Sequence, residues 1–347
     1  MGKHKPINQL RVFTFFIGIS LILSACQSQA ATSPAPIVLP SETLPAPATI
    51  TPLPASATPV PTDTATPAPT LTATPASGVP NFSHITIIVF ENKEFGSVIG
   101  NSQMPTFNRL ADEYTLLTQY YGVRHPSLPN YLAMIGGSTF NITTDCETCY
   151  VNAPSLPDLI ENSGRTWKGY MEDMPSPCFI GSRVDYAQKH DPFIYFDAIR
   201  QDTARCQSHV VPLTQLKTDL ENKDIPNFAF ITPNECNDAH SCPVATADKW
   251  LDAEMSFLMS TPLYDPTSLI VLTWDEGQGD HSCCGLPTGG GRVATVLISP
   301  LAQAGFQDDT PYSHYSLLKT IAAAWGLPEL DNAADPQTNL IVKPWKH

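Results

Sequence analysis

A three-layer α/β sandwich around a mostly parallel central sheet is the fold class that residues 81–347 predict. Two observations carry this expectation. The runs His84 to Phe90, Asn227 to Thr232, Ser268 to Trp274 and Arg292 to Ser299 are apolar without polar alternation, as strands buried on both faces are. A weaker run, Thr166 to Met171, adds a fifth. Helical patterns lie between them over 104–114, 127–134, 155–163, 213–222, 245–260 and 315–324, and strands alternating with helices build a covered sheet. A third observation points to a site. Two buried runs stop at acids, at Glu91-Asn92 and at Asp275-Glu276. Ligands of open α/β sheets bind beyond the carboxyl ends of strands, so side chains placed there converge on one crevice. The stretch 141–209 is irregular and cysteine-bearing, and reads as a cap over that crevice.

Two segments precede this domain. Lys3, Lys5 and Arg11 stand before the apolar stretch Val12 to Leu23, and small residues lead to Cys26. A basic start, a short apolar core and small residues describe an export signal over 1–26. The apolar stretch is shorter than the roughly 20 residues of a spanning helix. A cysteine at the cleavage position resembles the bacterial lipobox, which implies lipidation of Cys26. Residues 27–80 are dominated by Pro, Thr, Ala and Ser, with Glu42 and Asp63 as the only charges. Such a segment buries too little apolar surface to offset its ordering entropy. It is expected to be a disordered tether, extended at about 3.1 Å per residue and reaching up to roughly 150 Å. The expected location is therefore that of an exported bacterial lipoprotein, membrane-anchored, with its folded domain outside the cytoplasm.

The formal net charge is −14, and removal of the signal strips three cations and no acid. A surface this acidic is a poor match for nucleic acid. An anionic substrate needs local compensation, which a divalent cation supplies. Eight cysteines follow Cys26, an even number in an exported chain, so disulfides are expected. Cys146/Cys149, Cys236/Cys242 and Cys178/Cys206 are plausible partners. Cys283 and Cys284 are adjacent, and a strained bridge between neighbours argues that they pair elsewhere. The spacings make no pair of CxxC knuckles, which disfavours zinc held by cysteine.

Glu91, Asn92, Asp275 and Glu276 offer hard oxygen donors suited to a divalent ion. Paired acids in a cleft require a cation or a shared proton. Ser127, in His125 to Tyr131, opens an apolar helix. A serine there is often only a cap, yet the same helix end favours an incoming phosphate. Asn130 stands three residues on, with an amide able to reach a phosphoryl oxygen. Asp238 and His240 follow the Asn227 strand, and His314 opens the last helix. His190 and His209 have no supporting pattern. A Ser-His-acid acyl hydrolase is the rival, but Pro126 and Leu128 stand where a nucleophile elbow has its residues next to serine, and no G-x-S-x-G surrounds Ser127.

Together these blocks resemble the phosphoesterase family of bacterial acid phosphatases and phospholipases C, within the alkaline-phosphatase superfamily. The blocks are Glu91 to Phe95, His125 to Leu132, Pro233-Asn234 with Asp238 to His240, Thr273 to Gly277, Gly291 to Ala294 with Ile298 to Pro300, and Ser313 to Leu318. The resemblance implies one divalent metal, of magnesium, calcium, manganese or zinc, held by Glu91, Asn92, Asp275 and Glu276 with Ser127 in contact. It implies Ser127 as nucleophile through a phosphoserine intermediate, and Asn130 as an oxyanion ligand. His240, His281 and His314 are then phosphate contacts or the leaving-group acid, with Asp238 orienting one of them. The expected activity is metal-dependent hydrolysis of phosphate esters, acid-phosphatase-like, at the cell surface. The substrate is a small phosphate ester or a phospholipid headgroup. The alternatives are a phospholipase C-type phosphodiesterase and a non-catalytic surface-binding lipoprotein. Residues between Leu132 and Pro233 match no block of the family, so substrate choice is unread there.

Overall fold

The computed structural model describes residues 78–346. The signal over 1–26, Cys26 and nearly all of the 27–80 tether lie outside them. Val79 is already buried in the core, so packing begins two residues ahead of the boundary placed at 81.

Among the described residues nine strands form one sheet: β1 (Ile85–Phe90), β2 (Thr115–Tyr121), β3 (Trp167–Met171), β4 (Val210–Pro212), β5 (Phe228–Thr232), β6 (Leu269–Trp274), β7 (Arg292–Ile298), β8 (Gln307–Asp308) and β9 (Tyr312–Ser313). Their order is β4-β3-β5-β1-β6-β7-β2-β8, with β9 also on β2. Pairing is parallel except that β7 runs antiparallel to both β6 and β2. The mostly parallel α/β class is as the apolar runs predicted. All residues of β1, β5 and β6 are buried, which is why their sequences carry no polar alternation.

Helices flank the sheet in two packed groups, Pro105–Glu113 with Val244–Leu258 and Ser127–Gly136 with His314–Trp325. Side-chain caps set some of their ends. The Asp248 carboxylate accepts from Thr106 N–H at 3.0 Å and Phe107 N–H at 2.9 Å, satisfying donors that a first turn leaves unpaired. Phe90 lies 5.1 Å from the Trp274 ring, and Phe107 6.1 Å from it, so an aromatic cluster anchors β1, β6 and the Pro105 helix.

Sequence periodicity missed β2, because Thr115 follows the Pro105 helix after one residue and mixes polar with apolar positions. The short strands β4, β8 and β9 were missed as well. Disulfides join Cys146–Cys149, Cys178–Cys206 and Cys236–Cys242 as anticipated. Cys283 and Cys284 bridge each other, against the expectation that neighbours pair elsewhere.

Candidate active site

Strand register sets the acid pairs side by side. β1 and β6 are parallel neighbours with Phe90 opposite Trp274, so Glu91-Asn92 and Asp275-Glu276 leave the sheet at one level. β5 flanks β1 on its other side, and the turn after it brings in Asp238. The backbone knits these ends: Asp275 N–H donates to the Phe90 carbonyl and Glu91 N–H to the Asp238 carbonyl, each at 2.9 Å. Asn92 N–H donates to Asp275 Oδ1 at 2.9 Å. Asn92 holds φ at 55°, a left-handed conformation that asparagine tolerates.

Above these ends stands the helix Ser127–Gly136. Ser127 Oγ donates to Glu91 Oε2 at 3.0 Å. One turn later on the same face, the Tyr131 hydroxyl donates to Glu91 Oε1 at 2.5 Å. Asn92 Nδ2 also donates to Glu91 Oε2, at 2.7 Å. His125 Nδ1 lies 2.6 Å from Glu276 Oε2 and its Nε2 3.1 Å from the Gly279 carbonyl, which fixes both the ring and the carboxylate.

Asn130 has a different task from the oxyanion contact expected of it. Its Oδ1 accepts from Val123 N–H at 2.8 Å and Arg124 N–H at 3.2 Å. Its Nδ2 donates to the carbonyls of Arg124 at 2.6 Å and Pro126 at 3.2 Å. The buried carboxamide is thus committed to the turn that presents Ser127.

Of the three histidines expected at the site, one stands at its rim. His240 is exposed, with Nε2 3.5 Å from Lys189 Nζ. His281 is a correction: its side chain is 75% exposed on the loop after Glu276, 3.8 Å from Glu94. His314 is another. It is buried, its Nε2 donates to the Asp275 carbonyl at 2.5 Å, and the Tyr120 hydroxyl lies 3.3 Å from Nδ1. Burial lowers its pKa to about 4, against the pull of the Asp275 carbonyl, so it is neutral and cannot act as an imidazolium acid.

A fourth histidine, set aside on sequence, fills the crevice. His190 Nε2 lies 3.3 Å from Glu91 Oε1 and Nδ1 3.3 Å from Asp238 Oδ2. Its ring stacks on Tyr131 with centroids 5.4 Å apart. These are ion-pair contacts rather than aligned hydrogen bonds, and among the described residues His190 Nε2 and Asp238 Oδ2 keep no hydrogen-bond partner. Burial alone depresses the imidazole, but Glu91 and Asp238 outweigh it and raise the pKa to about 10. Asp238 therefore orients His190, while its Oδ1 accepts from His240 N–H at 2.7 Å. No periodic pattern announces His190, which arrives on a short 3-10 turn of the cap (Gln188–His190). Tyr131 was legible as the residue four places after Ser127, on the same helix face.

The carboxylates crowd one another. Burial, Glu91 and Glu276 push Asp275 well above the usual carboxylate range, and among the described residues Asp275 Oδ2 has no hydrogen-bond partner. Burial also pushes Glu276 up to about 7, although His125 opposes the rise. Among the described residues no group of three or more His, Cys, Asp or Glu side chains is assembled as a ready metal cage. The donor chemistry nevertheless fits a hard divalent cation: buried oxygens from Glu91, Asp275 and Glu276, one of them orphaned, beside the Asn92 carboxamide and the Ser127 hydroxyl.

The fold has counterparts of known structure. A protein in the alkaline phosphatase superfamily from Vibrio parahaemolyticus superposes with a TM-score of 0.52 at 12% identity, covering 76% of this chain and 72% of that one. A lipoteichoic acid synthase from Listeria monocytogenes gives 0.51 at 13%, covering 78% and 77%. At such identities the likeness is one of fold. The sheet is that of the alkaline-phosphatase fold, and the family match with its named relatives makes the chain a phosphoric ester hydrolase. The chain belongs to the Phosphoesterase family, whose model matches residues 101–328. A phosphatidylinositol-3-phosphatase of Mycobacterium tuberculosis is 32% identical over 274 residues, covering 76% of this chain and 85% of that protein. An acid phosphatase of Aspergillus fumigatus is 33% identical over 261 residues, covering 72% of this chain. The match spans 56% of the fungal protein's own length.

Proposed function

We propose that this protein is a metal-dependent phosphomonoesterase, acting through a phosphoserine at Ser127. The observation that carries the proposal is the buried hydroxyl of Ser127 hydrogen-bonded to Glu91 Oε2 at 3.0 Å. A hydroxyl needs a base or a metal to become a nucleophile. Burial would raise Glu91, but His190 outweighs it and holds the carboxylate ionised, with its pKa lowered to about 2. Glu91 therefore accepts the Ser127 hydrogen bond and orients Oγ for attack on phosphorus, the hydroxyl proton leaving to solvent as the ester P–O bond breaks. The His190 imidazolium, held by Asp238, stabilises the negative charge that accumulates beside Glu91. The departing alkoxide takes a proton at the rim, where His240 and Lys189 stand. Water then hydrolyses the phosphoserine.

Glu91, Asn92, Asp275, Glu276 and Ser127 are the residues we assign to a divalent cation. Bound there, it would neutralise phosphoryl charge and ease ionisation of the hydroxyl. A phosphodiesterase reading is favoured by likeness to a phospholipase C of Mycobacterium tuberculosis, 23% identical over 274 residues. Hydrolysis of nitrophenyl phosphate, nitrophenyl phosphocholine and a nitrophenyl carboxylic ester, each with and without chelator, separates these activities. Chelator-sensitive release from nitrophenyl phosphate alone is the expected result. Release from the carboxylic ester alone refutes the proposal.

We further propose that lipidated Cys26 anchors the domain to the outer side of a membrane. Cys26→Ser is expected to release the protein into the medium; unchanged membrane retention refutes the anchor.

A further inference from the structure

An open pocket is lined by His125, which stands two residues before Ser127 and whose ring lies 2.6 Å from Glu276. It encloses about 410 Å³ and is lined by Arg124, His125, Asp280, Ser282, Thr288 and Gly289, with Pro287 at its edge. That volume suits a sugar-sized group. Arg124 is the notable member. Among the described residues no hydrogen bond or ion pair engages its guanidinium, and its Nε is buried without a partner. Other arginines of this domain are engaged: Arg200 with Asp197, Arg205 with Asp158 and Glu161, Arg292 with the Thr118 carbonyl. A buried donor left unpaired is unfavourable until something accepts from it, and a planar guanidinium fork matches a phosphate best.

Both walls of the pocket are preorganised. Asn130 grips Arg124 by its N–H and its carbonyl, so the backbone from which the guanidinium projects is fixed three residues from Ser127. Across the pocket, Glu94 accepts from the N–H groups of Gln278 at 2.9 Å, Gly279 at 3.2 Å and Arg292 at 3.2 Å, which pins the loop that carries Asp280 and Ser282. Gly290 meets Gly122 so closely that a Cβ there would stand 2.5 Å from the Gly122 carbonyl carbon. The exposed Asp280 and Ser282 can pair with hydroxyls, which favours a polyol over a bare second phosphate.

We propose that this pocket is a second anion subsite, in which Arg124 binds a phosphate of the substrate other than the one being hydrolysed. Resting on the phosphoesterase assignment above, it names the substrate class as a polyol that carries a scissile phosphate monoester and a further phosphate. A soluble polyol bisphosphate and a phosphorylated inositol lipid headgroup share this chemistry.

The readout is the ratio of KM for ethylene glycol monophosphate to KM for ethylene glycol bisphosphate, followed by phosphate release. For the wild type the bisphosphate is expected to be preferred by about tenfold, the worth of one charge-assisted pair. Arg124→Gln should bring the ratio close to one, and Arg124→Lys should restore part of the preference. Mere disturbance of the Ser127 turn would change both substrates alike and leave the ratio as it was. A ratio that Arg124→Gln does not alter, or a wild type without preference, overturns the soluble-polyol arm, and the same result in the vesicle comparison below overturns the subsite while leaving the hydrolase assignment intact. Release from neither substrate overturns the hydrolase assignment instead. Calorimetric binding of the two ligands to Ser127→Ala then decides the subsite by the same ratio. Phosphatidylinositol monophosphate against phosphatidic acid, each in phosphatidylcholine vesicles, assigns the source. A preference that Arg124→Gln abolishes only in vesicles marks a lipid headgroup, one abolished only in solution marks a soluble polyol, and one seen in neither overturns the proposal.

Discussion

The β5 side and the β2 side of the crevice each hold a buried imidazole, one charged and the other neutral. His190 faces Glu91 and Asp238 and is raised to about 10. His314 faces the Asp275 carbonyl and the Tyr120 hydroxyl and is lowered to about 4. Burial is alike, so burial alone does not decide protonation. Two carboxylates hold a proton that a carbonyl and a phenol cannot. The β5 side is therefore built for charge, and the β2 side for rigidity.

The largest expected effect belongs to the charged side. Ser127→Ala should lower phosphate release by about ten-thousand-fold or more while leaving thermal unfolding nearly unchanged. Turnover close to wild type would remove the serine from the chemistry. Next comes His190→Gln, which leaves Glu91 and Asp238 buried together without their cation. It should destabilise the fold by about 3–5 kcal/mol at neutral pH, with part of the loss restored by added divalent cation. Unchanged stability would erase the contrast between the two sides.

His314→Leu tests the neutral side by pH. The folded pKa of His314, about 4, lies below the 6.5 of a free imidazole, so the unfolded chain binds the extra proton between those values. The wild type should lose about 3 kcal/mol as pH falls from 6.5 to 4 through this group, with its contribution complete above 6.5. The variant, less stable at pH 7, should show a shallower acid slope in denaturant titrations. An identical slope would mean that His314 is protonated in the fold. The smallest effects come from paired phenols. Tyr131→Phe should slow turnover several-fold through Glu91, whereas Tyr120→Phe should alter only stability, by about 1 kcal/mol. Equal kinetic losses in both would break the division between sides.

Much of this was legible in the chain itself. Fully apolar β1 and β6 had to be central strands, and acids directly after them had to share an edge once the strands paired in parallel. Ser127 was readable because a helix start confines it. His190 was not, because it reaches Glu91 from a cap whose path depends on tertiary packing rather than on any local period. His281 and His314 were misplaced for the same reason in reverse. His281 follows one family-like block and His314 lies within another, yet the first points to solvent and the second sits behind the Asp275 backbone. Asn130 was read as an oxyanion ligand, because sequence does not say whether a carboxamide serves a ligand or its own loop.

The reversed strand β7 has a consequence for how such a protein diversifies. Because β6 and β7 are antiparallel neighbours, the segment from Gln278 to Gly289, which follows Asp275 and Glu276, leaves the sheet and returns to it at one edge. It can lengthen, shorten or be exchanged without altering any strand register, while both its roots stay beside the acids. Recognition can therefore drift from one substrate to another on this single detachable hairpin, with the hydrolytic centre left in place.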